Sequence, residues 1–170
     1  EVAYLNREGV PFEPPSKIVN GSGHFKSWWY NGNPYEEGDY LMGKKDGIWH
    51  IWFDKGGLEW ERYYTNGRLN GDERRWFDNG VLSDITYYND GFKDGIRKWF
   101  YADGRESGWN KYINREHRMS HSYTHAGYDS LHIDWDINSS RGTKTTFYAD
   151  GKLKSKGRVY SGIEVVKDGA

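Results

Sequence analysis

The sequence predicts an all-β repeat protein in which stacked antiparallel β-hairpins form one elongated, twisted, open sheet of roughly ten to twelve strands. Three observations lead to this prediction. Glycines recur every 24 residues in phased columns, aromatic residues recur in columns between them, and Asn-Gly or Asp-Gly pairs mark the turns. Each hairpin of such an array buries its apolar face only against its neighbours.

The glycine columns show where each repeat begins and where it turns. Repeats start near residues 23, 47, 71, 95, 118 and 142, and the copy near 118 is diverged. A second column lies nine residues into the repeat and a third lies twenty residues in. Because glycine adopts positive φ without steric cost, these positions are expected in tight turns. The predicted structural turn glycines are Gly23, Gly32, Gly47, Gly56, Gly67, Gly71, Gly80, Gly91, Gly95, Gly104, Gly142, Gly151 and Gly162.

The elements follow one another in a fixed order. Residues 1–20 contain Pro11, Pro14 and Pro15 and are predicted to form an extended N-terminal cap. Residues 21–170 form the repeat domain. In the repeat 47–71, residues 48–53 are the first predicted strand, 55–57 the turn, 58–64 the return strand and 66–71 a linker to the next copy.

Composition limits the classes of partner. The net charge is -1 over 170 residues, and no basic stripe is present, so nucleic acid is not an expected partner. There is no cysteine, and no apolar run approaches the roughly 20 residues of a transmembrane helix. The chain begins at Glu1. Two locations stay open: the cytoplasm, or the cell envelope and exterior if Glu1 is a processed N-terminus.

One unit carries a family resemblance. The pattern Gly-x-Trp-x-x-Trp-Phe-x-x-Gly, a return strand ending in Tyr-Tyr, and then Asn-Gly-x-x-x-Gly resembles the MORN repeat, in the variant found in bacterial proteins described as antitoxin components of toxin–antitoxin modules. Residues 47–71 and 71–95 match this pattern best, whereas 115–140 depart from it. The resemblance implies rows of β-hairpins and a role in protein–protein contact, with lipid binding in some relatives. It implies no catalytic residue and no cofactor, so a non-enzymatic protein is expected.

The aromatic columns have two interpretations. Residues that recur at the same position of every repeat usually do so because they pack against the neighbouring repeat, which favours a core role for Trp28, Trp52 and Trp76. Exposure of one face would instead make a binding groove. The leading hypothesis is a protein-binding scaffold, antitoxin-like or immunity-like; the alternatives are a cell-wall glycan-binding module and peripheral lipid binding. The candidate binding residues are Trp28, Trp52, Trp76, Phe100, Phe147, Tyr40, Tyr64, Tyr88 and Tyr112.

The diverged repeat contains a histidine-rich segment. His117, His121 and His125 lie four residues apart, with Asp129 and His132 nearby. On a strand this spacing separates Cα atoms by about 13 Å, which is too far for one ion without a bend. The three histidines are therefore only weak candidates for metal ligands, and a solvated or partner-facing polar patch is the favoured prediction.

The two edges of a long antiparallel sheet need protection, because unpaired backbone groups there invite another strand. The proline-rich start is predicted to protect one edge. Residues 159–166 at the other end carry few charges, so this segment is the predicted site of self-association.

Overall fold

The computed structural model describes residues 16–135, 141–160 and 163–166, and all regular structure in these ranges is β. The prediction of an all-β protein is confirmed. The strands are β1 (Lys17–Val19), β2 (Ser22–Trp28), β3 (Pro34–Leu41), β4 (Lys44–Trp52), β5 (Leu58–Thr65), β6 (Arg68–Trp76), β7 (Leu82–Asn89), β8 (Phe92–Lys93), β9 (Gly95–Phe100), β10 (Glu106–Ile113), β11 (Glu116–Tyr123), β12 (Asp129–Trp135), β13 (Arg141–Phe147), β14 (Leu153–Tyr160) and β15 (Ile163–Val166).

The chain divides into two compact units, Glu1–Phe92 and Lys93–Ala170. In unit 1, strands β1 to β7 each pair antiparallel with the next strand along the chain. In unit 2, strands β9 to β15 do the same. Each unit is therefore an open sheet of consecutive hairpins, as the repeat pattern predicts.

One set of turns contains three residues. In the type repeat, the Phe53 N–H donates to the Gly57 carbonyl at 2.8 Å and the Gly56 N–H donates to the Phe53 carbonyl at 2.9 Å. Gly56 has φ 96°, so the loop is a type I turn closed by a left-handed glycine. The same two hydrogen bonds recur at Gly32, Gly80, Gly104, Gly127 and Gly151. The diverged repeat thus keeps its turn at Gly127.

The other set of turns corrects the linker prediction. Asn66 and Gly67 both have positive φ, 52° and 82°, which is the geometry of a two-residue type I′ hairpin turn. Strand β6 begins immediately afterwards at Arg68. The predicted linker 66–71 was wrong because a type I′ turn reverses the chain in two residues and leaves the rest to pair as strand. Gly23, Gly47 and Gly71 were predicted in turns and for the same reason lie within β2, β4 and β6. Equivalent turns occur at Asn20–Gly21, Met42–Gly43, Asp90–Gly91 and Asn114–Arg115.

The core of unit 1 lies on one side of its sheet, which we call the aromatic face. Trp49 on β4 is 1% exposed. Phe25 stacks on it with ring centroids 5.8 Å apart, and Tyr40 and Tyr64 meet it edge-on at 5.0 Å and 6.4 Å. The Lys45 ammonium lies 3.7 Å from the centroid of the Trp49 ring. Aromatic rings therefore carry the packing that aliphatic side chains supply in most sheets.

Glycines that face a large ring on the neighbouring strand make room for it. A Cβ at Gly38 would lie 2.3 to 2.5 Å from atoms of the Trp49 ring. In unit 2, Trp99 is directly opposite Gly108, and Trp135 is directly opposite Gly142. Gly142 was predicted to lie in a turn, but it lies within β13, where the Trp135 ring packs against it. A missing side chain on one strand thus accommodates an indole on the next.

The predicted N-terminal cap and the predicted site of self-association lie at the two ends of the chain. Lys17–Val19, within the predicted cap, form β1 and pair with β2. Residues 1–15 and Gly162 lie outside the described residues. At the other end β15 pairs with β14, and Val159 is buried at 6% exposure. Self-association through this end stays a prediction.

Candidate functional site

The tryptophan and phenylalanine column lies where strands enter the three-residue turns. Trp52 is opposite Leu58, and Trp76 is opposite Leu82. All five rings are half-buried. In this position they cover the end of each hairpin. The remaining members pair as Trp28 with Pro34, Phe100 with Glu106 and Phe147 with Leu153.

The tyrosine column lies near the strand ends that lead into the two-residue turns, directly opposite the first glycine column. Tyr40 and Tyr64 pack against Trp49, and burial raises the pKa of both phenols. The Tyr88 hydroxyl donates to Glu73 Oε1 at 3.4 Å, and the Tyr112 ring lies 5.5 Å from the His117 ring. All four tyrosines are half-buried. Their contacts are those of packing residues, and their role in binding stays a prediction.

The opposite side of the unit 1 sheet, which we call the polar face, is acidic. Five carboxylates share it with two permanent cations, Lys26 and Arg74. The excess of carboxylates makes this face negative at neutral pH. By register, the polar face comprises His24, Lys26, Glu37, Asp39, Asp46, Ile48, His50, Glu61, Tyr63, Asp72, Arg74, Ile85 and Tyr87.

Ion pairs hold many of these side chains in place. The Arg74 guanidinium bridges Glu61 and Asp72, with both nitrogen–oxygen distances 2.6 Å. Glu61 also contacts His50 at 3.3 Å. Since one guanidinium spans two carboxylates, these ion pairs order the side chains at the centre of the polar face.

The first two strands carry a second cluster of ion pairs. His24 lies 2.9 Å from both Glu37 and Asp39, and Lys26 lies 2.9 Å from Glu37. Burial acts to raise the pKa of Glu37, but Lys26 and His24 outweigh it and hold that pKa below its ordinary value. Glu37 is therefore ionised at neutral pH.

Three large apolar side chains stand exposed within this charged frame. Ile48 is 51% exposed, Tyr63 45% and Tyr87 44%. Ile48 and Tyr63 are directly opposite each other on β4 and β5. Tyr87 lies one repeat later on β7, two strands or about 10 Å from β5. Together they form an exposed apolar column, which we call the Tyr63–Tyr87 column.

The sequence did contain a signal for this column. Tyr63-Tyr64 and Tyr87-Tyr88 are adjacent pairs, and neighbouring residues on a strand point to opposite faces. If Tyr64 and Tyr88 face the core, their neighbours must face away from it. Periodicity alone could not show which member of each pair is exposed, and the predicted binding residues Tyr64 and Tyr88 are the half-buried members.

A pocket of 330 Å³ opens beside Tyr63. Gly71 shapes it, because a Cβ there would lie 3.2 Å from the Tyr63 Cβ. The pocket is thus lined by the Tyr63 ring and the Gly71 backbone together with several charged side chains. The lining residues are Ile48, Glu61, Arg62, Tyr63, Asn70, Gly71, Asp72 and Arg74.

The three candidate histidines of unit 2 do not converge. His117 Nε2 lies 2.7 Å from the Ser120 hydroxyl, and burial lowers the pKa of His117. His125 Nε2 lies 3.3 Å from an Asp103 carboxylate oxygen. His121 instead contacts Asp129 and His132, a contact that the sequence spacing did not predict. Within the described ranges, no set of three His, Cys, Asp or Glu side chains is arranged to hold a metal ion.

Comparison with known families identifies one hairpin. Residues 141–160 match the family model described as MORN repeat variant. This segment comprises β13, its three-residue turn and β14, so the resemblance to a MORN-repeat family is confirmed. No curated protein matches the chain. The described part of the chain has no helix long and apolar enough to cross a membrane.

Proposed function

Because this chain carries a MORN repeat variant, we propose that it is a non-catalytic repeat scaffold that binds another protein through the polar face of unit 1. The observation that supports this most directly is the Tyr63–Tyr87 column, whose apolar side chains stand exposed within an ordered frame of ion pairs. Repeat scaffolds commonly bind partners along a row of equivalent positions.

The column has the properties of an interface centre. Binding energy at protein interfaces concentrates in a few aromatic or arginine side chains surrounded by polar residues. Tyr63 and Tyr87 supply the rings, and the pocket next to Tyr63 offers a cavity for one side chain of the partner. Arg74 and Asp72 at its edge are already paired with each other, so docking requires little reordering there.

Charge points to the kind of partner. The polar face carries more carboxylates than permanent cations, so it attracts a basic segment. A lysine or arginine of the partner can lie over an exposed tyrosine ring while a carboxylate such as Asp39 accepts its hydrogen bonds. The partner is thus a protein that presents a cationic segment with an apolar residue beside it.

In its narrower form the proposal is an antitoxin-like or immunity-like role, in which the bound protein is a toxin. A captured partner that stops growth when expressed alone, but not together with this chain, supports that form. Anionic lipid is disfavoured at this face because the face is itself negative. Cell-wall glycans, which can stack on the tyrosine rings, are the competing class of ligand.

The test compares capture by three immobilised proteins: the wild type, a Tyr63→Ser/Tyr87→Ser variant, and a Tyr30→Ser control. Tyr30 is 74% exposed in a turn of the same unit, so the control removes an exposed tyrosine away from the polar face. We expect wild type and control to retain the same protein. The affinity of the double variant for that protein, measured by calorimetry, should fall at least about tenfold, as for a loss of hot-spot residues.

The salt dependence of the affinity and the chemical class of the captured ligand complete the test. Affinity should fall as salt is raised, since the attraction is partly between exposed charges. Equal affinity for the double variant and the control would reject the polar face as the binding surface. Retention of cell-wall glycan instead of protein, lost only in the double variant, would make glycan the ligand of this face.

A further inference from the structure

His121 and His132 form an unusual pair in unit 2. They lie directly opposite each other on β11 and β12, so both rings project from the same side of the sheet. Their Nδ1 atoms are 3.0 Å apart, and the ring planes cross at 72°. The pairing joins residues that the sequence separates by eleven positions.

The other nitrogen of each ring is held by a carboxylate. His121 Nε2 lies 2.9 Å from Asp129 Oδ1, and His132 Nε2 lies 2.8 Å from Asp134 Oδ2. An ionised carboxylate only accepts hydrogen bonds, so each Nε2 carries the hydrogen. In the neutral rings both Nδ1 atoms then present lone pairs toward the same point. Two lone pairs 3.0 Å apart repel each other unless a proton held by one ring or a metal ion lies between them.

The arrangement matches that of histidines bound to metal. Metal-binding histidines usually donate their second ring N–H to a carboxylate, which orients the ring and makes the ligating nitrogen more basic. Two nitrogens about 2.0–2.1 Å from a tetrahedral zinc ion lie about 3.3 Å apart. The observed 3.0 Å is within a few tenths of an ångström of that separation.

We propose that the Nδ1 atoms of His121 and His132 bind one divalent transition-metal ion, of the class that prefers imidazole, such as Zn²⁺ or Cu²⁺. Within the described residues no third His, Cys, Asp or Glu side chain joins the pair, so water completes the coordination. An open site of this kind binds more weakly than a four-ligand structural zinc site.

Neighbouring side chains order the pair and provide a signal. The Trp109 ring stacks on His121, with centroids 5.7 Å apart and planes within 9°. The Tyr123 ring also contacts His121, with the two ring centroids 4.7 Å apart. His121 is mostly buried, whereas His132 is about one-third exposed, so an ion can approach from the His132 side. Because copper(II) quenches indole emission at short range, Trp109 fluorescence can report occupancy.

The test titrates the full chain with Zn²⁺ by calorimetry and with Cu²⁺ by tryptophan fluorescence. The variants are His121→Asn/His132→Asn and, as the matched control, His24→Asn/His50→Asn in unit 1. We expect one saturable site in the wild type and the control. Its affinity should fall at least about tenfold in the His121/His132 variant, which loses both ligands.

The ring nitrogens provide a readout that does not depend on the variants folding. In the wild-type protein, ¹⁵N NMR should show Zn²⁺ shifting the Nδ1 signals of His121 and His132 while the other histidines stay unchanged. Absence of a saturable site at millimolar Zn²⁺, equal affinity in a folded His121/His132 variant, or unchanged Nδ1 signals would each overturn the proposal.

Discussion

At the scale of single residues, the sheets are shaped by glycines that face indole rings. Gly38 lies beneath Trp49, and Gly108 lies beneath Trp99. Neither glycine belongs to the 24-residue columns, so their importance comes from the neighbouring strand and not from the turns. An indole laid over bare backbone buries its area without a second sheet to cover it.

Replacing Gly38 with alanine should destabilise the protein. The new Cβ would overlap the Trp49 ring, and overpacking of this kind costs about 1–3 kcal/mol. The matched control is Gly57→Ala, where the nearest atom would be 3.8 Å away in the Phe53 ring. Urea unfolding followed by tryptophan fluorescence measures both. Equal midpoints for the two variants would show that the Trp49 ring moves aside freely.

His117 should make stability depend on pH. Burial lowers its pKa from the ordinary value of 6.5, so the folded protein binds this proton less readily than the unfolded chain. Its contribution to stability is therefore complete above about pH 6.5 and is lost as the pH falls toward the lower folded pKa. An NMR titration should place that pKa below 6.5, and His117→Gln should reduce the loss of stability between pH 7.5 and 5.5. An unchanged pH dependence in that variant would contradict this assignment.

At the scale of the hairpin, two kinds of turn alternate along each sheet. The three-residue turns require one left-handed glycine, and the two-residue turns require two residues at positive φ. Asparagine and aspartate tolerate that conformation because their short side chains bond locally. They occupy the first turn position in most repeats, as at Asn20, Asn66, Asp90 and Asn114.

Met42 is the exception, so Met42→Asn should stabilise the first repeats. Its φ is 50°, a conformation that is costly for a long side chain, and the side chain is 82% exposed, so little packing is lost. We expect a gain of about 0.5–1 kcal/mol in the free energy of unfolding. Met42→Leu keeps the strain and should give no gain. A common urea midpoint for both variants would mean that the turn carries no strain.

At the scale of the whole molecule, strands pair with their neighbours along the chain, within β1 to β7 and again within β9 to β15. Contacts in such arrays are local, and stability is approximately a sum over repeats and their nearest-neighbour interfaces. A destabilising substitution in the core of one unit should therefore reduce stability mainly within that unit.

Trp49→Ala tests that locality. Removing a buried indole should cost about 3–5 kcal/mol, and we expect amide hydrogen exchange to accelerate mainly in β2 to β5. Trp99→Ala should give the reciprocal result, with protection lost mainly in unit 2. Uniform acceleration along the whole chain in both variants would show instead that the two units unfold as one.

The sequence by itself determined the all-β class, the repeat period and the turns at the glycine columns that lie nine and twenty residues into the repeat. These features depend on local backbone conformation, which glycine and Asn-Gly pairs specify without help from distant residues. The tertiary structure alone decided which aromatic of each adjacent pair is buried, why Gly38 is needed, and that His121 meets His132. Each depends on the register between strands, where a shift of one residue exchanges the two faces of the sheet.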